Sequence, residues 1–507
     1  MKRLLLLTLI FTTVTLLQAQ KRYLEPVFND VNMQTIAYGK NWTILTVPVT
    51  GKPTLQPLAA DVYTPVGDTL AKRPLMLYFH TGNFLPFPQN LSPNGTRSDS
   101  TTVTLCRRWA SMGYVVASCD YRLGWNPTAT TQEERVNTLI NAAYRGVQDA
   151  HSAIRYFKLN ADLFKIDTNR IVIFGQGTGG YISLNTGALD KYSKILNTQY
   201  PPDKFKNSNG IPYVLEAFNG NIEATTYGVI NFPGHPLDGD TLCIPNNVGP
   251  TSHYQFAVNI GGAIGDLSWI DENTPPTVSF QSPTDPFAPY ETGVVVVPGL
   301  NLNVVEVQGA LLISQKMDEL NLNSSFAGLN WQDDISLVAQ SKNGGLSGLF
   351  PIQRPADKAA DSAPWDFWAP DNPNNANGLQ TNPDMSKEKA TLYMDTIVAF
   401  SAPRACLALN LDCDLSGYLG NKAISAKEAG VSYYPNPATD FINFQSEKRE
   451  IKNIVIFDAA GRAIKAIGDI NANTYKLTKN SIPPGYYFAQ IRFDKKFTTV
   501  PFSFVGK

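Results

Sequence analysis

Residues 171–181 read Ile171-Val172-Ile173-Phe174-Gly175-Gln176-Gly177-Thr178-Gly179-Gly180-Tyr181, and this stretch decides the fold. Four large apolar residues in a row, bounded by turn signals, predict a strand buried on both faces. The glycines that follow predict a tight turn, and Tyr181 opens a helix. A buried strand that turns sharply into a helix is the first half of a parallel crossover.

The same alternation extends outward. Residues 74–79 and 113–118 are β-rich apolar runs. Residues 138–157 have helical spacing, with Ala142, Val147, Ala150, Ile154 and Phe157 near one face. Further strand candidates lie at 255–260, 276–280 and 294–297. This order predicts an α/β domain over 21–414, a mostly parallel sheet with helices on both faces. Residues 372–385, rich in asparagine and proline, read as a surface loop or lid.

The ordered series of motifs resembles secreted carboxylesterases of the α/β-hydrolase fold. Asp61-Val62-Tyr63 with Pro65 leads to His80-Thr81-Gly82-Asn83-Phe84, which is similar to the oxyanion loop H-G-G-x-F of that family. Asp120-Tyr121-Arg122-Leu123-Gly124, Gln148-Asp149-Ala150 and Ile154-Arg155-Tyr156-Phe157 follow in the family's order. The glycine turn matches G-x-S-x-G, and Asp285 with Tyr290 occupies the place of the strand and loop that carry the acid. The likeness runs from about residue 59 to about residue 411.

The chain departs from that pattern where the chemistry would sit. The nucleophile position is Gly177, which has neither hydroxyl nor thiol and so forms no acyl-enzyme. In this family the order is nucleophile, acid, histidine, yet His80, His151, His235 and His253 all precede Asp285. His80 reads as a holder of the oxyanion loop and His151 as a satisfied core histidine. Thr81 stands where glycine is usual. The resemblance places a pocket at His80, Thr81, Gly82, Asn83, Gly175, Gln176, Thr178 and Gly179, with Asp285 a vestigial acid. Glycine at the apex is expected to leave room for a ligand to approach the backbone.

Beyond 414 the text changes. Residues 415–430 are small and polar and read as a linker. Short alternating runs at 441–444, 451–457, 474–477, 486–493 and 498–504 predict a small β-sandwich over 431–507. Tyr434-Pro435-Asn436-Pro437-Ala438, then Ile454-Val455-Ile456-Phe457-Asp458 with Gly461-Arg462, then Pro484-Gly485-Tyr486-Tyr487, resembles the C-terminal sorting domain of type IX secretion cargo. The resemblance implies the type IX machinery as partner, export across the outer membrane, and release or anchoring at the cell surface.

Export agrees with the other end of the chain. Lys2 and Arg3 precede an apolar run at 4–17 with Ala19 before a cut, the order of a signal peptide over 1–20. That run is shorter than the roughly 20 residues a membrane span needs. No later segment is long and apolar enough to serve. The 507 residues are 43% apolar and 17% charged with a formal charge of −1, which supplies no basic field for nucleic acid. Cys106, Cys119, Cys243, Cys406 and Cys413 match no zinc spacing, and their odd number leaves a thiol over. Neither a metal nor a cofactor is expected.

Three functions stay open on these residues. The first is an exported, inactive carboxylesterase-like protein that binds a small ester, lipid or glycan. The second is a secreted ester hydrolase with a displaced catalytic group, Asp285 or His253. The third is a surface structural or adhesive protein whose pocket has no role.

Overall fold

The computed structural model describes residues 22–353, 361–420, 422–468, 470–479, 482–493 and 496–506. The expected signal peptide over 1–20 lies outside them. The chain divides into two compact units, one of Met1–Gly328 with Ile335–Asp414 and one of Leu329–Asp334 with Leu415–Lys507.

The first unit opens with β1 (Val31–Thr43) and β2 (Thr54–Pro65), paired antiparallel. Next come β3 (Arg73–Phe79), β4 (Val115–Cys119) and β5 (Ile166–Gln176), whose second half is entirely buried. A small hairpin, β6 (Gly228–Val229) with β7 (Thr241–Cys243), stands apart from the main sheet. After it come β8 (Phe256–Ile260), β9 (Thr277–Gln281), a second hairpin of β10 (Thr292–Val296) and β11 (Asn303–Gln308), and β12 (Leu349–Pro351). The main sheet has the order β1-β2-β4-β3-β5-β8-β9-β12. Every pairing from β4 to β12 is parallel, and β2 alone runs against the rest, antiparallel to both β1 and β4. This is the α/β-hydrolase fold.

The run 294–297, expected as a strand, is one arm of the β10–β11 hairpin and pairs with nothing in the main sheet. Val295 and Val296 are partly buried and line a cavity, whereas Val294 is exposed and Val297 buried.

Four helices matter for the site. They are α1 (Ser100–Ser111), α2 (Gln132–Leu159), α3 (Thr178–Ala188) and, far downstream, α4 (Lys387–Ala408). The helix α2 begins six residues before the apolar pattern does. Thr131 caps it by accepting from the Glu134 amide, so the first turn is held by polar groups. Within this frame the motif residues 120–124 and 148–149 meet. Arg122 and Asp149 form a fully buried ion pair, with Nε to Oδ1 at 2.9 Å, and the Arg122 amide also donates to Asp149. That pair ties the segment after β4 to α2.

Cys406 in the last turn of α4 and Cys413 beyond its end form a disulfide, and Cys106, Cys119 and Cys243 are buried free thiols. Cys119 takes the buried structural place its strand predicts.

The second unit carries β13 (Lys422–Ala423), β14 (Val431–Tyr434), β15 (Phe441–Ser446), β16 (Asn453–Asp458), β17 (Ala463–Ile467), β18 (Thr474–Thr478), β19 (Gly485–Arg492) and β20 (Lys496–Phe504). They form a five-stranded sheet, β13-β20-β19-β16-β17, and a three-stranded sheet, β14-β15-β18. Ile442, Phe444, Ile454, Ile491 and Phe502 belong to the buried core of this β-sandwich. Part of the stretch 415–430, read as linker, is folded here. Lys422 and Ala423 pair with β20, and Ser425 caps a short helix, Ala426–Ala429. The segment 329–334 also belongs to this unit, since Trp331 bridges Leu419 and the Gln332 amide donates to Tyr418. Small and polar residues left no apolar period by which either segment would show.

Candidate functional site

The strand β5 delivers the chain to a turn at the C-terminal edge of the parallel sheet, the edge where open α/β sheets bind ligands. Gly177 has φ 54° and ψ −114°, and α3 starts at the next residue. Its amide donates to Ile260 O at 2.7 Å, which fixes the turn to the end of β8. Gly179 is required by close approach, since a Cβ there would lie 1.9 Å from Phe79 O.

The space above Gly177 is not open. A Cβ on Gly177 would lie 2.2 Å from Thr81 Oγ1 and 3.0 Å from Thr81 Cβ. The expected room for a ligand at the glycine is therefore filled, and the filler is the side chain that replaces glycine in the loop 80–84. Thr178 turns its hydroxyl toward the same loop and accepts from the Asn83 amide at 2.7 Å.

Next to the turn lies a cavity of about 210 Å³, whose wall includes Thr81, Asn83, Gln176, Gly177, Thr178 and Asp285. The other proposed pocket residues stand behind that wall. His80 stacks on Tyr121 with ring centroids 4.7 Å apart, its Nδ1 meets Thr81 O at 2.5 Å, and its Nε2 is 3.7 Å from Asp120. Tyr121 in turn donates to His80 O at 2.9 Å. Gly82, Gly175 and Gly179 pack backbone on backbone. These four position the turn and the loop rather than face the cavity.

Asp285 follows β9 and accepts from the amides of Phe287 and Ala288 at 2.8 and 3.1 Å. Ser362 donates to its second oxygen at 3.1 Å. Burial outweighs these bonds and pushes the carboxyl up to about 6.

The histidines lie elsewhere. His253 precedes β8 at the opposite edge of the sheet, roughly 20 Å from Gly177 by strand rise, and its carbonyl accepts from Lys158. His235 is held inside the loop of the first hairpin, where its Nδ1 accepts from the Leu237 amide. His151 is buried in α2 as expected but is not satisfied. Neither ring nitrogen has a hydrogen-bond partner, and Glu223 is 3.7 Å from Nδ1. Burial lowers its pKa and keeps it neutral.

A second carboxyl lines the cavity and escaped the reading of the sequence. Asp366 is 4% exposed and accepts from Gln176 Nε2 at 2.7 Å, while Gln176 Oε1 accepts from Tyr78 Oη at the same distance. Burial, then the charge of Asp99, pushes Asp366 up to about 8. Ser362, Trp365 and Trp368 from the same loop also line the cavity. The signal available was compositional: an aspartate inside Trp365-Asp366-Phe367-Trp368. The stretch 372–385, read as a loop or lid, carries a short helix, Asn375–Thr381, and contributes Asn377, Gly378, Thr381 and Asn382 to the wall. Among the described residues no group of three or more histidines, cysteines and carboxylates is placed to hold a metal.

Residues 60–298 match the family described as BD-FAE, and residues 432–502 match the secretion system C-terminal sorting domain. No curated protein matches the chain. Similar solved structures include the esterase 2 of Thermogutta terrifontis phosphorylated by paraoxon, at 14% identity over 72% of this chain and 93% of that one, TM-score 0.35. The propionate-bound form has 15% identity over 72% and 93%, TM-score 0.33, and the native form 14% over 72% and 91%, TM-score 0.34. No described helix is long and apolar enough to cross a membrane. The chain is an exported protein, secreted or held at the cell surface, that joins an esterase-like α/β-hydrolase domain to a type IX sorting domain.

Proposed function

We propose that the main domain is a catalytically inactive relative of carboxylesterases and acts by binding. The observation that carries this reading is the contact between Thr81 and Gly177. The apex of the turn has no nucleophile, and the neighbouring side chain occupies the volume one would need. In this fold the oxyanion is bound by the amide after the nucleophile and by an amide of the loop 80–84. Here the Asn83 amide of that loop is taken by Thr178.

The acid supports the same reading. Asp285 holds a serine hydroxyl, and a hydroxyl cannot accept and return a proton at neutral pH as imidazole does. Loss of nucleophile and base together costs on the order of 10⁶ in rate. The sorting domain then delivers a binding protein, rather than a hydrolase, to the surface or the medium.

The test is hydrolysis of short activated esters by the purified chain, with Asp285→Ala and His253→Ala as controls. A rate equal to that of buffer is expected for all three proteins. Turnover that either substitution abolishes would replace this reading with a hydrolase built on a displaced group.

A further inference from the structure

The cavity extends well beyond the turn, and its two ends differ in chemistry. One end is apolar. Leu139, Ala143 and Val147 of α2 face Val295, Val305 and Val307 of the β10–β11 hairpin across it. Tyr144 of α2 also lines the cavity, but its hydroxyl donates to Gly220 O at 2.9 Å, so this part of the wall offers a ligand mainly apolar bulk.

The other end is polar and carries charge of one sign. Asp285 and Asp366 are the only acidic or basic residues among the described ones that line the cavity, and at neutral pH Asp285 is mostly ionised while Asp366 keeps its proton. An anion entering would leave water to meet the Asp285 carboxylate and no cation, which is unfavourable at both steps. The same end also holds donors that lack acceptors. Tyr181 Oη, Trp365 Nε1 and Trp368 Nε1 belong to lining residues and have no hydrogen-bond partner; they are closed off from solvent, and a small shift of each ring is needed to bring it to a ligand oxygen. An indole N–H can only donate, so two of the three call for an oxygen acceptor. A head group that is purely a cationic donor leaves them unpaired.

We infer that the cavity binds an uncharged amphiphile whose apolar chain lies between α2 and the β10–β11 hairpin and whose hydroxyl or carbonyl oxygens meet the tryptophan and carboxyl end. The inference rests on the reading of this domain as a binding protein and names the ligand class for it. A hydroxyl suits the polar end because it donates to a carboxyl and accepts from an indole. The aromatic rings give that end further apolar contact without charge.

The experiment titrates the exported chain, sorting domain included, with 1-alkanols of roughly four to ten carbons, and with the alkanoates and alkylamines of matching length, at neutral pH. Emission of Trp125, Trp269, Trp365 and Trp368, all on the cavity wall, reports occupancy. Alkanol affinity is expected to rise about fourfold per methylene until the cavity is filled. Matching alkanoates are expected to bind at least about tenfold more weakly, and Asp285→Asn to narrow that gap. Ala143→Trp is expected to erase the dependence on chain length. Affinity independent of length, or alkanoates or alkylamines that bind as tightly as alkanols, would overturn the inference. None of these probes has a bond to hydrolyse. Ester turnover would therefore overturn the proposed inactivity alone, and the ligand series would still decide the ligand class.

Discussion

Asp285 accepts a hydrogen bond from Ser362 Oγ at 3.1 Å, so the acid orients a hydroxyl from the loop that follows the last strand of the sheet. On the proposed reading of Asp285 as a vestigial acid, the hydroxyl stands where a hydrolase of this fold would hold its histidine, after the acid in the chain. Position 362 is thus the site from which an imidazole would reach Asp285. In a Thr81→Gly, Gly177→Ser background, adding Ser362→His is expected to raise kcat/KM on an activated ester by about 100-fold or more. Equal rates with and without the histidine would show that 362 is not the base position.

Thr81 and Gly177 are coupled by volume. Gly177→Ser alone meets both an unfavourable φ and the Thr81 hydroxyl, and is expected to cost about 1–3 kcal/mol of stability. In a Thr81→Gly background the same change is expected to cost about 1 kcal/mol less, a coupling that a double-mutant cycle of chemical denaturation measures. Additive effects would mean that the two side chains do not compete for one space.

The carboxyl of Asp366 gives the fold a pH dependence of definite sign. Its pKa is about 8 folded against an ordinary 3.8, so between those values the folded state binds more protons than the unfolded one. Stability is expected to fall as pH rises from about 4 to about 8 and to level off above that. Asp366→Asn is expected to remove most of the decline, leaving the part below about pH 6 that belongs to Asp285. At about pH 9 the variant then exceeds the parent by on the order of a few kcal/mol, while near pH 4 the two are equal. Urea titrations at both pH values check this, and parallel pH profiles would contradict it.

The buried pair of Arg122 and Asp149 predicts a large loss on one side only. Asp149→Ala leaves a fully buried guanidinium with Gln148 Oε1 and Leu242 O as acceptors but no counter-charge. A cost of about 3–5 kcal/mol is expected. Scanning calorimetry should show the transition of the hydrolase-fold unit shifting while that of the sorting unit stays in place.

The parts of the site carried by regular elements were legible in the sequence. Apolar continuity placed β5, and glycine spacing placed the turn at Gly177, because both follow from local backbone preferences. The order of motifs placed Asp285 in the wall. What was not legible depends on tertiary proximity. Nothing local says that Thr81 fills the space over Gly177, since the two sit on different crossovers. Ser362 and Asp366 lie in an irregular loop without period, so only the fold shows that they reach the cavity. His151 misled for a related reason. Its place on an apolar stripe marks burial correctly but says nothing of whether a partner waits there. In the sorting unit, Ala463–Ile467 was missed because a lysine and alanines dilute its alternation.

The crowding at the turn also sets an order for rebuilding the apex. With threonine at 81, a side chain placed at 177 meets the Thr81 hydroxyl before any other atom. A route to a filled apex that avoids the crowded intermediate shrinks residue 81 first and changes residue 177 second.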